Sequence, residues 1–252
     1  MNIHQYILSI AGFDPSSGAG LTSDIKTFQS FGLYGLSVCT NITVQNDVDF
    51  KESNWIDSNV IIKQIETLFD RFNIEFVKIG IVQNWQTLSL IVNKLVSLNQ
   101  SVKIVLDPVL KASTGFDFHN QDDESTFDSI LEKVYLITPN FEEIQNLYPE
   151  KSIEETIQII REKTNIYLKG GHRINQVGLD QLFYDKIVQL NILPGDFKVF
   201  PKHGSGCVLS SAIASNLALG FNLQDASELG KKYIEQFLSS NETLLGDHLT
   251  IS

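Results

Sequence analysis

At 252 residues and 42% hydrophobic content, the chain carries enough apolar material to bury a substantial core, and its composition excludes a disordered protein. A formal net charge of −11 argues against nucleic acid or an anionic membrane as the main partner, since both reward clustered Lys and Arg. Cys39 and Cys207, the only cysteines, lie far apart without a second Cys or a His at metal-ligand spacing, which disfavours a zinc site.

The N-terminal residues pass straight into an apolar run, with no basic region followed by a signal-length apolar segment, and no run approaches bilayer-spanning length. The expectation is one soluble, cytoplasmic domain over 1–252 with reduced thiols. Short β-rich apolar runs alternate with helical patterns, which predicts an α/β fold with a mostly parallel central sheet and helices on its faces. Strands are expected near Tyr6–Ile10, Leu36–Thr43, Phe76–Gly80, Lys103–Leu106, Val134–Ile137 and Ile166–Leu168. Between them, Ile25, Phe28 and Phe31 share a face, as do Ile61, Ile65, Leu68 and Phe72, and then Leu88, Ile91, Val92, Leu95 and Val96. Such stripes mark buried faces and carry no chemistry. From Gly178 the pattern changes to short extended segments, Leu179–Tyr184, Ile187–Leu190 and Phe197–Phe200, which predict a small antiparallel extension. Helices starting near Ser205 and Leu223 close the domain.

In sheets of this kind ligands bind beyond the carboxyl ends of the strands, so the polar residues there carry the functional reading. The first strand runs into a Gly- and Ser-rich turn, Ala11 to Gly20, leading to a helix with Asp24 and Lys26. It lacks both the Gly-Lys-Ser/Thr ending of a P-loop and a Gly-x-Gly-x-x-Gly fingerprint, so it reads either as close packing of a small ligand on backbone or as an ordinary turn. The second extended run ends in Thr43-Val44-Gln45-Asn46, where the Gln45 amide suits an aminopyrimidine-like edge or simply solvent. Leu106-Asp107-Pro108-Val109 and Ile137-Thr138-Pro139-Asn140-Phe141-Glu142-Glu143 each end a strand at a proline and put acids at the ligand edge. Asp107, Asn140 and Glu143 are oxygen donors of the type that hold Mg²⁺ directly or through water. Asn-x-x-Glu is equally close to a helix capping box. Lys169-Gly170-Gly171-His172 places a cation at a strand end, as a phosphate neighbour or a surface charge.

The most specific feature is His203-Gly204-Ser205-Gly206-Cys207, which opens onto a helical run of small and apolar residues, Val208 to Leu219. Backbone N–H groups at a glycine-bared helix start can close around a phosphoryl oxygen, although a Gly-Ser-Gly turn with a serine cap is the plain alternative. Cys207 falls in the first turn, where the helix dipole favours a thiolate and hence a nucleophile or base.

Taken together and in order, these segments resemble the ribokinase-like superfamily, and within it the hydroxymethylpyrimidine/phosphomethylpyrimidine kinases of thiamine biosynthesis. The resemblance rests on the run Ser9 to Gly20 with Asp24-Ile25-Lys26-Thr27-Phe28, and on Thr43 to Asn46, Lys78 to Ile81, Asp107 to Val109, Ile137 to Glu143, Lys169 to His172 and His203 to Cys207. It covers nearly the whole chain. It implies a ribokinase-like fold in which ATP, with Mg²⁺, phosphorylates an aminopyrimidine alcohol and then its monophosphate. It further implies a homodimer and a set of site residues. Gly12, Asp24, Gln45, Ile81 and Val109 would fall at the pyrimidine pocket, and Gly204, Ser205, Gly206 and Cys207 at the anion hole and base position. Asp107, Thr138, Asn140 and Lys169 would fall at the ATP site, and Asn140 with Glu143 at the magnesium network. Sugar kinases of the superfamily generally carry Asp where Cys207 stands. The chain departs from the family pattern at Pro201-Lys202, where an Asn-Thr pair is common, at Ile81, which replaces a Met, and at Leu244 to His248, a remnant of a glycine-rich ending. Competing readings are a pyridoxal or pyridoxine kinase of the same fold and a non-catalytic pyrimidine-binding relative.

Overall fold

A computed structural model describes residues 5–109, 124–171 and 176–249. His172, named above beside Lys169, lies outside the described residues. These residues form a nine-stranded sheet in which β1 (Tyr6–Phe13) is followed by β2 (Tyr34–Gln45), β3 (Phe50–Trp55), β4 (Phe76–Ile79), β5 (Lys103–Leu106), β6 (Leu136–Ile137), β7 (Asn165–Leu168), β8 (Asp180–Tyr184) and β9 (Val188–Ile192). Their spatial order is β3-β2-β1-β4-β5-β6-β7-β8-β9. The pairs from β2 through β1, β4, β5 and β6 to β7 are parallel. β3 and the β8–β9 ribbon are antiparallel additions at the two edges.

Alternation along the strands explains why helices must cover both faces. Leu8, Ile104, Ile137 and Ile166 point into one apolar layer, whereas Ile7, Val105, Leu136 and Tyr167 point into the other. The first layer packs α2 (Ser58–Phe69), α3 (Trp85–Leu98), α4 (Glu124–Leu131), α5 (Phe141–Leu147) and α6 (Ile153–Arg161). The second packs α1 (Gly20–Ser30), α7 (Ser205–Ala218) and α8 (Leu223–Ser239). Helix α7 lies against α1, α8 and the middle of the sheet, and nearly all of it is buried. No described helix is long and apolar enough to cross a membrane.

The sheet differs from the sequence expectation at three places. β3 is an additional strand whose polar run, Phe-Lys-Glu-Ser-Asn-Trp, suits a half-exposed edge and hides the apolar signal. Phe197–Phe200 lies outside the strands, and the Phe200 N–H donates to the Leu238 carbonyl of α8 instead. Val134 does not join β6, because its N–H closes a turn onto Ile130 at the end of α4.

Strand order fixes where a ligand can enter. β1 has β2 on one side and β4 on the other, so consecutive connections leave it in opposite directions and their loops part beyond its carboxyl end. Gly12, the end of β4 and Asp107 to Val109 after β5 all lie at that end of the sheet.

Candidate active site

The start of α7 is built by backbone conformation. Gly204 is the N-cap, with φ +74, and no side chain of its own caps the helix. A Cβ on Gly204 would stand 2.1 Å from the Gly18 carbonyl oxygen and 2.7 Å from Ala19 Cα, so glycine is required both for the left-handed φ and for contact with the first turn. Ser205 does not cap. It is the first helical residue, which leaves the N–H groups of Ser205, Gly206 and Cys207 at an uncapped helix start.

The turn facing them is organised by Asp14. Its carboxylate accepts from the Ser16 N–H at 2.8 Å, the Ser16 hydroxyl, the Gly18 N–H at 3.2 Å and the Ala19 N–H at 2.9 Å. His203 Nε2 donates to the same carboxylate at 3.0 Å, tying the turn to the residue before Gly204. Burial would push the Asp14 carboxyl up, but the hydrogen bonds from His203, Ser16 and Ala19 outweigh it and hold it below the usual range.

Behind the cradle lies a buried set of charges. Lys169, at the end of β7, bonds Asp107 Oδ1 at 2.8 Å and lies 3.4 Å from Glu143 Oε2. Thr138 and Ser210 hydroxyls also face the Asp107 carboxylate, at 3.3 Å each. Burial would raise Asp107, yet Lys169 and then Lys78 pull it below the usual carboxylate range. Glu143 is pushed up to about 7 by burial, with Lys169 opposing and Asp107 adding to the rise. A Cβ on Gly206 would meet Lys169 Nζ at 3.3 Å, so the ammonium stands directly against the α7 cradle.

A second buried pair sits beside it. Lys78, wholly inside β4, bonds both oxygens of Asp24 at 2.9 Å, and the carboxylate also accepts from Ser9 at 2.6 Å and Ser211 at 2.7 Å. Burial alone would lower the Lys78 pKa, but Asp24, with Cys207 and Asp107 nearby, raises it above the usual lysine value. Asp24 is therefore an interior group held by four protein contacts, not a side chain standing in open space.

Cys207 departs from the expectation of a dipole-stabilised thiolate. Burial pushes its thiol up to about 11; Lys78 and the Gly20 backbone N–H oppose this, while Asp107 and Asp24 reinforce it. Asn140 and Glu143 realise the capping box at the start of α5: Asn140 Oδ1 accepts the Glu143 N–H, and Glu143 Oε2 accepts the Asn140 N–H, each at 2.7 Å. Among the described residues no three His, Cys, Asp or Glu gather as a metal cage. The donors present, a pair of carboxylates flanking one lysine, fit a Mg²⁺ held largely by phosphate oxygens and water.

The remaining expected residues stand at or just past the ends of β1, β2, β4 and β5. A Cβ on Gly12 would stand 2.9 Å from Ile81 Cγ2, so the β1 backbone packs directly on that side chain. The Thr40 hydroxyl fixes the Ile81 carbonyl at 2.6 Å. Val109 is half-buried, with its N–H on the Asp107 carbonyl. Gln45 stands half-buried at the far end of β2 opposite Phe50, beyond Thr43, whose hydroxyl donates to the Phe13 carbonyl. The structure thus brings Gly204–Cys207, Asp107, Thr138, Lys169 and Glu143 into one connected cluster and places Gly12 with Ile81 beside it. Asp14, His203 and Lys78, which the sequence offers only as members of motif runs without a role of their own, belong to the same networks, as do Ser210 and Ser211, which no motif marks. For Lys78 a signal existed: a lysine inside the apolar strand run Phe76-Val77-Lys78-Ile79.

Comparison with known proteins gives the family and the fold. The phosphomethylpyrimidine kinase family model matches residues 14–251. A hydroxymethylpyrimidine/phosphomethylpyrimidine kinase of Aquifex aeolicus is 33% identical over 246 residues, covering 94% of this chain and 95% of the relative. One from Rhizobium meliloti is 30% identical, covering 94% and 91%. The crystal structure of phosphomethylpyrimidine kinase from Clostridium difficile superposes with a TM-score of 0.75 at 31% identity, covering 91% of this chain and 97% of that one. The pyridoxal kinase of Staphylococcus aureus in complex with pyridoxal superposes with a TM-score of 0.84 at 24% identity, covering 99% and 95%, and shares the fold.

Proposed function

This chain belongs to the phosphomethylpyrimidine kinase family, and from that premise we propose how its pocket serves the ATP-dependent phosphorylation of 4-amino-5-hydroxymethyl-2-methylpyrimidine and of its monophosphate. The observation that carries the reading is the uncapped start of α7 pressed against Lys169. Phosphoryl transfer passes through a loose transition state, so positioning and charge stabilisation dominate. The Ser205, Gly206 and Cys207 N–H groups and the Lys169 ammonium are the donors that would receive the charge spread over the transferring group. Mg²⁺, when bound, would neutralise phosphate charge, and Asn140 and Glu143, with Asp107 beside them, are the side chains that would hold it through water.

The thiolate form of Cys207 takes the proton of the acceptor alcohol late in transfer and becomes the thiol. With a pKa near 11 that form is a small fraction at neutral pH, a scarcity that a loose transition state with little early proton removal tolerates. In the second step the acceptor is already a phosphate anion, needs no base, and would be repelled by a fixed carboxylate at that position. Gly12, Ile81, Val109, Gln45 and Asp24 form or back the pyrimidine pocket in this reading, and Thr138 and Asn140 border the nucleotide. The enzyme works in the cytoplasm as a homodimer, which sedimentation of the purified protein checks.

The test is Mg-ATP-dependent ADP release with the pyrimidine alcohol, its monophosphate and pyridoxal offered separately. Turnover of both pyrimidines well above pyridoxal is expected. Preference for pyridoxal would move the assignment to vitamin B6 salvage, and binding without turnover would make the chain a pyrimidine-binding relative.

A further inference from the structure

Residues 241–248 follow α8 and run back along Lys202 and His203, just ahead of the cradle, where Lys202 ties them down. The buried Lys202 ammonium bonds three oxygens of this segment: the Asn241 carbonyl at 2.5 Å, Asn241 Oδ1 at 2.9 Å and the Thr243 carbonyl at 2.6 Å. Asn241 Nδ2 in turn donates to the Leu245 carbonyl and to Asp247, each at 3.0 Å, closing the segment into a compact turn. The next link reaches the site. The His203 N–H donates to the Leu244 carbonyl at 2.9 Å, while the His203 ring holds Asp14.

Apolar contact completes the strap. A Cβ on Gly18 would stand 2.8 Å from Leu245 Cδ2 and 2.6 Å from His203 Cδ2, so both side chains press on the turn whose carbonyl touches Gly204. Beyond it Gly246 packs on the Phe237 ring, and His248 Nδ1 lies 3.1 Å from the Tyr233 hydroxyl and 3.4 Å from that of Thr27, fastening the far end to α8 and α1. Pro201-Lys202 and Leu244 to His248, where the sequence departs from the family pattern, are thus two halves of one contact.

We propose that Lys202 and Leu245 are positioning residues for the phosphate cradle: the 241–248 strap, anchored by Lys202, presses the Asp14–Ala19 turn onto Gly204 and holds the α7 N–H groups in register. Neither side chain need touch substrate. The proposal rests on the kinase reading above in assigning that cradle to the transferring phosphoryl group.

The test compares wild type with K202M, L245A and the double variant. In steady-state kinetics, kcat for both phosphorylation steps falls about 10-fold in each single variant, since the cradle serves both. The pyrimidine Kd measured by calorimetry without nucleotide stays within about 2-fold, and the double variant loses no more than the worse single one, because both act through the same turn. Amide hydrogen exchange, which needs no turnover, accelerates at residues 16–20 and 204–207 in both single variants. Unchanged kcat and exchange would overturn the proposal. So would a pyrimidine affinity that falls in parallel with kcat, since that marks general loosening. If wild type turns over neither pyrimidine, the substrate reading fails, and hydrogen exchange alone decides the strap.

Discussion

Cys207 is the residue at which local and tertiary effects pull in opposite directions. A first-turn position at an uncapped helix start lowers a thiol pKa, but burial beside Asp107 and Asp24 raises this one to about 11. Alkylation of Cys207 by iodoacetamide, followed by peptide mass spectrometry to separate it from Cys39, is therefore expected to rise with pH toward a midpoint near 11. A midpoint below 8 would restore the thiolate. Replacing Cys207 with Ala is expected to slow alcohol phosphorylation by roughly 100-fold, a common size for a lost proton-transfer partner, and monophosphate phosphorylation only a few-fold. Equal losses in the two steps, measured with each substrate at saturating Mg-ATP, would remove the base role. Lys78 is a different kind of residue, since its ammonium compensates a buried carboxylate 54 positions earlier in the chain. Lys78→Met is expected to cost about 3–5 kcal/mol in urea unfolding by leaving Asp24 unpaired, and Asp24→Asn in the same chain to recover most of it. The lysine was visible in an apolar strand run. Its partner was not, because no local pattern tells which helix will bring an aspartate to it.

At the scale of elements, the site depends on two loops meeting more than on any helix or strand alone. Gly204→Ala forces a left-handed φ on a residue with a Cβ, worth about 1–2 kcal/mol, and drives that Cβ to 2.1 Å from the Gly18 carbonyl. The expected outcome is a thermal stability loss larger than the strain alone and near-complete loss of both phosphorylation steps. Retention of activity would show that the turn can withdraw without harm. The sequence announces the start of α7 because its signal is local: glycines, a serine and then an apolar run. The parallel strands were legible for the same reason, since burial on both faces leaves near-continuous apolar runs such as Lys103–Leu106. Edge elements were harder. β3 is half-exposed and polar, while Phe197–Phe200 has alternating apolar residues but takes no place in the sheet. Helix α6 could have been read from its Ser152–Glu155 capping box and the spacing of Ile153, Ile157 and Ile160.

For the molecule as a whole, gathering charges at the mouth of the sheet sets stability against function. Asp107, Glu143 and Asp24 are buried there with Lys169 and Lys78, so the carboxylates outnumber the ammonium groups in that cluster. Burial raises both Asp24 and Glu143, the carboxyl of Glu143 from 4.5 to about 7. Between those two pH values the folded chain retains a proton that the unfolded chain has released, so stability falls as pH rises across the window. Below the window the group is protonated in both states and costs nothing. Glu143→Gln keeps an acceptor for the Asn140 N–H but removes the charge, so its stability is expected to match wild type near pH 4.5 and exceed it above pH 7 by on the order of 2 kcal/mol. Urea unfolding of both proteins across pH 4.5 to 8 reads this group together with Asp107, whose charge faces it across Lys169. Activity is expected to move the other way, with Glu143→Gln raising the Mg²⁺ concentration needed for half-maximal turnover. Parallel stability curves would mean that Lys169 compensates Glu143 fully, and the charge at the sheet edge would then carry no cost in folding.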